Sequence, residues 1–181
     1  MEKTVRRLDF HPSVCYWTVF NEGWGQFDHA AMYRRVKELD PSRPVDSVSG
    51  WFVSRGETVS DIESPHIYFK KIKLKKSKKP IIISEFGGYS YKIDGHSFNL
   101  SNNYGYGSYK NAEDFENALD ELYNDSVIPA IESGLCGAVY TQLSDVEDET
   151  NGLITYDRKV IKLDEARVRE INQKICNSLK K

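Results

Sequence analysis

Hydrophobic and polar positions along the chain fall into short apolar runs alternating with helical stripes. Residues 3–10 have the texture of the last turns of a helix, stopped by His11-Pro12. The run Val14–Phe20 is continuous in apolar and aromatic residues, as in a strand buried on both faces of a parallel sheet. It ends abruptly in Asn21-Glu22 and a Gly-Trp-Gly turn. A helix is predicted over Phe27–Leu39, with Met32, Val36 and Leu39 on one face and Asp28 placed to cap it. Asp40-Pro41-Ser42-Arg43-Pro44 terminates it. Val45–Ser49, Ser64–Tyr68 and Ile81–Glu85 read as three further strands, the last closing on Phe86-Gly87-Gly88.

Residues 89–111 break the pattern, being rich in Gly, Ser, Asn and Tyr. A long structureless loop in a compact domain is usually functional or disordered. Tyr89, Tyr91, Tyr104, Tyr106 and Tyr109 offer flat apolar faces with polar tips, suited to sugar rings; a low-complexity surface loop is the alternative. A long helix follows from Ala112, capped by Asn111, with Phe115, Ala118, Leu119 and Leu122 as its stripe. Pro129 kinks it or starts a new turn. Gly134 ends the element, and Gly137–Thr141 is the fifth strand. Asn151-Gly152 reads as a turn, and Leu153–Tyr156 with Val160–Leu163 as a small hairpin. The last helix, capped by Asp164, carries Val168, Ile171 and Ile175 on one side.

Strands alternating with helical patterns define an α/β fold of parallel βαβ units. An open doubly wound sheet would be expected to carry a Gly-rich phosphate turn, and no glycine cluster here has a G-x-G-x-x-G or Walker spacing. A (β/α)8 barrel instead predicts polar residues at the ends of successive strands on one rim. Asn21 and Glu22, Ser49 and Trp51, His66 and Tyr68, Glu85, and Gln142 and Asp145 follow that rule. Five strands cannot close such a barrel, which takes about 250 residues. A carboxylate at a strand lip costs desolvation energy, so Glu22 and Glu85 are the residues to expect face to face in a site. Helix capping is the structural alternative for either.

Composition narrows the classes. At 181 residues the chain is most simply one domain. A net charge of −2 points neither to nucleic acid nor to an anionic membrane, and no apolar run approaches the roughly 20 residues of a bilayer span. The lysine run 70–79 admits a nucleic-acid patch, but without flanking aromatics or a basic domain it reads as the solvated face of a crossover. Cys15, Cys136 and Cys176 suit reduced, partly buried thiols, which favours a cytoplasmic location. His11, His29, His66 and His96 fall on separate elements, so no metal and no cofactor is expected.

Segments along the whole chain resemble the glycoside hydrolase family 2 catalytic barrel, home of β-galactosidases, β-glucuronidases and β-mannosidases. They are His11-Pro12-Ser13, Asn21-Glu22-Gly23-Trp24-Gly25-Gln26, Ser49-Gly50-Trp51, His66-Ile67-Tyr68, Ser84-Glu85-Phe86-Gly87-Gly88, Tyr140–Glu147, Asn151-Gly152-Leu153 and Tyr156-Asp157-Arg158. The resemblance makes the chain a partial (β/α)8 TIM barrel, strands four to eight with intervening helices. Strands one to three and the preceding β-sandwich domains would lie outside it. It implies a retaining, β-galactosidase-like glycosidase, with Glu22 as acid/base and Glu85 as nucleophile. Asn21 would bind the sugar 2-hydroxyl, Tyr68 would orient Glu85, and His66 would contact a hydroxyl or serve as a core residue. Trp24 and Trp51 would stack on sugar or pack in the core; Trp17 belongs to the core. Gln142, with Asp145 and Glu147, would bind substrate or organise its loop. Many family members carry a Trp on strand eight where Tyr140-Thr141-Gln142 stands here. The expected partner is carbohydrate, and strands missing a neighbour predict self-association through exposed barrel edges. A truncated barrel that binds sugar without turnover is the non-enzymatic alternative.

Overall fold

The computed structural model describes residues 1–50, 59–68 and 70–179. It is an α/β structure that divides into two compact units, one of Met1–His66 with Lys76–Ser84 and one of Ile67–Lys75 with Glu85–Lys181.

The first unit begins with α1 (Glu2–Leu8), β1 (Trp17–Phe20), α2 (His29–Leu39) and β2 (Val45–Val48). β1 and β2 are parallel, with Trp17 opposite Val45 and Phe20 opposite Val48. This βαβ arrangement buries Val5, Val36 and Val45 together, with Trp17, Val19, Tyr33 and Leu39 packed around them. β1 is shorter than the apolar run suggested, and Thr18 is exposed where burial on both faces was expected. β2 is its sole hydrogen-bonded strand neighbour among the described residues. β2 is buried throughout.

The end of α2 is tied to the chain before β1 by one carboxylate. Asp40 accepts hydrogen bonds from the Trp17 indole at 2.8 Å and Arg43 at 2.7 Å, while Arg43 also donates to the Val14 carbonyl at 2.6 Å. Burial by itself pushes the Asp40 carboxyl up. Bonds from Ser42, Trp17 and Arg43 outweigh it and hold the group well below the usual carboxylate range. The other end of α2 corrects the reading of Asp28. That residue has φ 39° and ψ 39° and makes no side-chain cap. Left-handed backbone turns its carboxylate away from the first-turn amides.

β3 (His66–Ile67), β4 (Ile81–Gly87) and β7 (Leu135–Thr141) form a sheet in the order β3-β4-β7. The β3–β4 link contains no helix among its described residues, so the intervening helices expected of the barrel do not extend to this crossover. Instead its lysines face solvent while Ile72 is buried. Alternation of that kind suits an extended strap, and the segment is too short and too charged for a packed helix.

In the second unit the tyrosine-rich stretch is ordered by pairing, contrary to the structureless loop expected. β5 (Tyr89–Tyr91) and β6 (Gly107–Tyr109) are parallel partners. Their tyrosines pack on the helix that follows, Tyr91 and Tyr109 lying 5.6 and 6.1 Å from the Phe115 ring. That helix, α3 (Ala112–Leu122), starts where Asn111 Oδ1 accepts the Asp114 amide at 2.8 Å. A π-helical turn, Tyr123–Val127, precedes α4 (Ile128–Glu132), whose first turn holds Pro129. After β7 the chain forms the small hairpin anticipated, with Ile154 bridged to Ile161. It ends in α5 (Glu165–Ser178), capped by Asp164 on the Ala166 amide at 2.6 Å. Asn151-Gly152 is not a turn but a buried segment: the Gln142 backbone amide donates to the Asn151 carbonyl, and the Gly152 amide to Asp145 Oδ1.

The three cysteines are free and exposed, not partly buried as expected. Among the described residues no helix is long and apolar enough to cross a membrane.

Candidate active site

Glu22 stands two residues past β1, where Gly23 at φ +86° turns the chain. Its Oε2 lies 3.2 Å from Nδ1 of His66, which is 1% exposed while Glu22 keeps an opening to solvent. Gly50 makes this approach possible. A Cβ there would sit 2.5 Å from Glu22 Oε2 and 2.7 Å from His66 Nδ1, and the φ of +85° itself favours glycine. The neighbouring strand ends are stitched together: the Ser49 amide donates to the Phe20 carbonyl at 2.9 Å, and Ser49 Oγ to Asn21 Oδ1 at 3.1 Å. That second bond fixes the Asn21 carboxamide. Beneath them Asp46 is wholly buried, and burial pushes its carboxyl up against the opposing pull of the Ser64 and Ser60 hydroxyls.

Glu85 lies in the second half of β4. The Tyr68 hydroxyl donates to Glu85 Oε2 through a short hydrogen bond, and Thr141 Oγ1 at the end of β7 lies 3.3 Å from the same hydroxyl. The Tyr68 ring stacks on Tyr106 with centroids 3.7 Å apart and planes 16° from parallel. Gly88 permits this stack: a Cβ on it would meet the Tyr106 ring at 2.5 Å and the Tyr68 ring at 3.1 Å. Burial, then the bond to Glu85, raises the Tyr68 phenol far above its ordinary value. The hydroxyl therefore keeps its proton and acts toward Glu85 as a donor.

The segment after β7 is held by its own side chains. Gln142 Nε2 donates to Glu149 at 2.8 Å and to Asn151 at 2.9 Å, and the Thr141–Gln142 peptide is cis. Behind it Lys162, wholly buried, donates to Asp145 Oδ1 at 2.7 Å and to the carbonyls of Tyr91 and Thr150. Burial pushes Asp145 up and Lys162 down, and each is drawn back by the other's charge.

Of the residues singled out in the sequence, His66 meets Glu22 and Tyr68 meets Glu85. Gln142 is engaged with its own loop. Trp24 is 99% exposed and packs on no core. Trp51 lies outside the described residues. Sequence reasoning missed Gly50, Gly88, Tyr106, Thr141 and Lys162 as supports. Gly50 and Gly88, each just past a strand end, were the readable signal. Among the described residues no group of three or more His, Cys, Asp or Glu side chains could hold a metal ion.

The class these features define is an α/β protein with parallel strands and two carboxylates, Glu22 just past β1 beside an imidazole and Glu85 within β4 held by a phenol. Comparison with known families then places it: the chain belongs to the family described as glycosyl hydrolases family 2, TIM barrel domain, whose model matches residues 1–175. It is similar to the β-glucuronidase of Homo sapiens, 33% identical over 113 residues covering 48% of this chain and 17% of that protein. It is also similar to a β-galactosidase of Leuconostoc mesenteroides subsp. mesenteroides, 29% identical over 102 residues covering 48% of this chain and 10% of that protein. The chain thus matches less than a fifth of the length of these curated relatives.

Proposed function

We propose that this chain supplies strands four to eight of a (β/α)8 barrel and both catalytic carboxylates of a retaining glycosidase acting on β-glycosides, of the β-galactosidase and β-glucuronidase kind. Glu85 attacks the anomeric carbon and displaces the leaving oxygen, which takes a proton from Glu22. Glu22 then accepts a proton from water as that water attacks the glycosyl-Glu85 ester, releasing sugar of unchanged anomeric configuration. Retention requires the two carboxyls to lie about 5–5.5 Å apart.

The observation carrying this reading is the Tyr68 hydroxyl on Glu85 Oε2. A donor that keeps its proton locks the carboxylate's rotation, which a nucleophile needs if it is to meet one carbon in line. His66 Nδ1, 3.2 Å from Glu22 Oε2, sets an imidazole beside the other carboxyl. Asn21, fixed by Ser49, is assigned to the sugar 2-hydroxyl, a contact that strengthens in the transition state. β1 and β7 each have one hydrogen-bonded strand neighbour among the described residues, and we assign their other edges to self-association.

The test is a panel of aryl β-galactosides, β-glucuronides and β-mannosides. Hydrolysis is expected on at least one member, lost in Glu85→Ala and restored by azide as the glycosyl azide of inverted configuration. Hydrolysis undiminished in Glu85→Ala, or no turnover on any member, would overturn the assignment, the second outcome leaving a sugar-binding barrel.

A further inference from the structure

We propose that the second unit carries a separate subsite for an uncharged oligosaccharide, in the cleft between the lysine strap and α3. This rests on the glycosidase reading only for its link to Glu85; saccharide binding is independent of it. The cleft has a volume of about 340 Å³, within the range of small-ligand sites and large enough for a disaccharide.

Its lining has the chemistry of a sugar platform. Tyr68, Tyr89, Tyr106 and Tyr109 contribute aromatic surface. They are arranged as a stacked pair, Tyr68 on Tyr106 at 3.7 Å, and a tilted pair, Tyr89 and Tyr109 at 5.5 Å. Pyranose rings present C–H faces that lie on such surfaces, and the phenol tips supply hydrogen bonds at the edges. Charge decides the class of saccharide. Lys70 and Lys71 on one wall are matched by Glu121 and Asp125 on the other, so the lining charges cancel. Lys71 and Asp125 already face each other at 3.9 Å. The charge of Glu121 reaches both Tyr89 and Tyr109, adding to the rise that burial causes in their phenols. A sulfated or phosphorylated chain would meet those carboxylates, whereas a neutral polyol finds donors and acceptors on both walls. Tyr68 belongs to both places: its ring lines the cleft and its hydroxyl donates to Glu85.

The experiment is ligand-observed NMR titration of the full chain with neutral β-linked di-, tri- and tetrasaccharides, beside the matching aryl monoglycoside and a sulfated oligosaccharide of equal length. Trisaccharide binding tighter than monoglycoside is expected, weakened at least tenfold in Tyr109→Ala and severalfold in Lys70→Ala, an exposed position where folding is not at risk. Aryl monoglycoside hydrolysis by Lys70→Ala should be unchanged. Equal trisaccharide affinity in wild type, Tyr109→Ala and Lys70→Ala would overturn the subsite, as would preference for the sulfated chain. Loss of hydrolysis on every substrate with the trisaccharide effect intact would sink the glycosidase reading alone and leave the subsite standing.

Discussion

Replacing Tyr68 by Phe removes one oxygen and leaves the ring that stacks on Tyr106. What disappears is the donor to Glu85 Oε2, with the weaker 3.3 Å contact to Thr141. Hydrogen bonds to charged groups contribute about 1.5–3 kcal/mol. At 1.36 kcal/mol per tenfold, their loss in the transition state lowers kcat/KM by about 10- to 150-fold. The loss should fall mainly on kcat, because the hydroxyl orients the nucleophile and is not assigned to substrate. Stability should change little, by about 1–2 kcal/mol, since packing is kept. The phenol's rise above its ordinary value adds a pH prediction. A raised tyrosine contributes stability in full below its unfolded value of about 10 and loses it only as pH climbs through the folded value. Tyr68 therefore supplies no basic limb near neutrality, and the pH profile of Tyr68→Phe should keep the wild-type basic limb. The assay is steady-state hydrolysis of the best aryl β-glycoside from pH 4 to 9, with thermal melts of both proteins. A variant within twofold of wild type, or one that loses an ionisation near neutral pH, would refute the reasoning.

Three other perturbations follow from the same geometry. Lys162→Met strands the buried Asp145 carboxylate and should cost about 3–5 kcal/mol in urea unfolding, part of which Lys162→Met/Asp145→Leu should recover because no lone charge remains. Asp40→Asn should cost about 2–4 kcal/mol at pH 7. Asp40 is depressed, so its contribution is full above the unfolded value of about 3.9 and disappears as pH falls toward the folded value; the gap in melting temperature between the two proteins should close below pH 4. Gly50→Ala drives a methyl into the Glu22–His66 contact and should lower kcat/KM by at least tenfold while thermal melts show a folded chain.

What could be read in the sequence followed from local physics. Asn111 and Asp164 cap helices because a short polar side chain before an apolar stripe has few other uses. Asp28 has the same signature and fails, since its backbone is left-handed, which the residue type permits but does not announce. The tyrosines of 89–109 looked unstructured because their strands are only three residues long and pair across a long loop. Glu22 and Glu85 stood out as carboxylates ending apolar runs. Tyr68 could be matched to Glu85 only through the family resemblance, and the pairing of His66 with Glu22 was not read at all, because local pattern does not say which acid a strand-end residue will face. Lys162 was the hardest to foresee: lysine reads as a surface charge, and only the fold reveals Asp145 and two carbonyls closing around it.

The most direct measurement of the central claim is covalent trapping. The chain is incubated with a 2-deoxy-2-fluoro β-glycoside bearing a good leaving group and digested, and the modified residue is located by mass spectrometry. The account predicts one sugar on Glu85, no adduct in Glu85→Gln, and its discharge on dilution into a glycosyl acceptor. A sugar on any other carboxylate, or turnover with inverted configuration and no adduct, would contradict it.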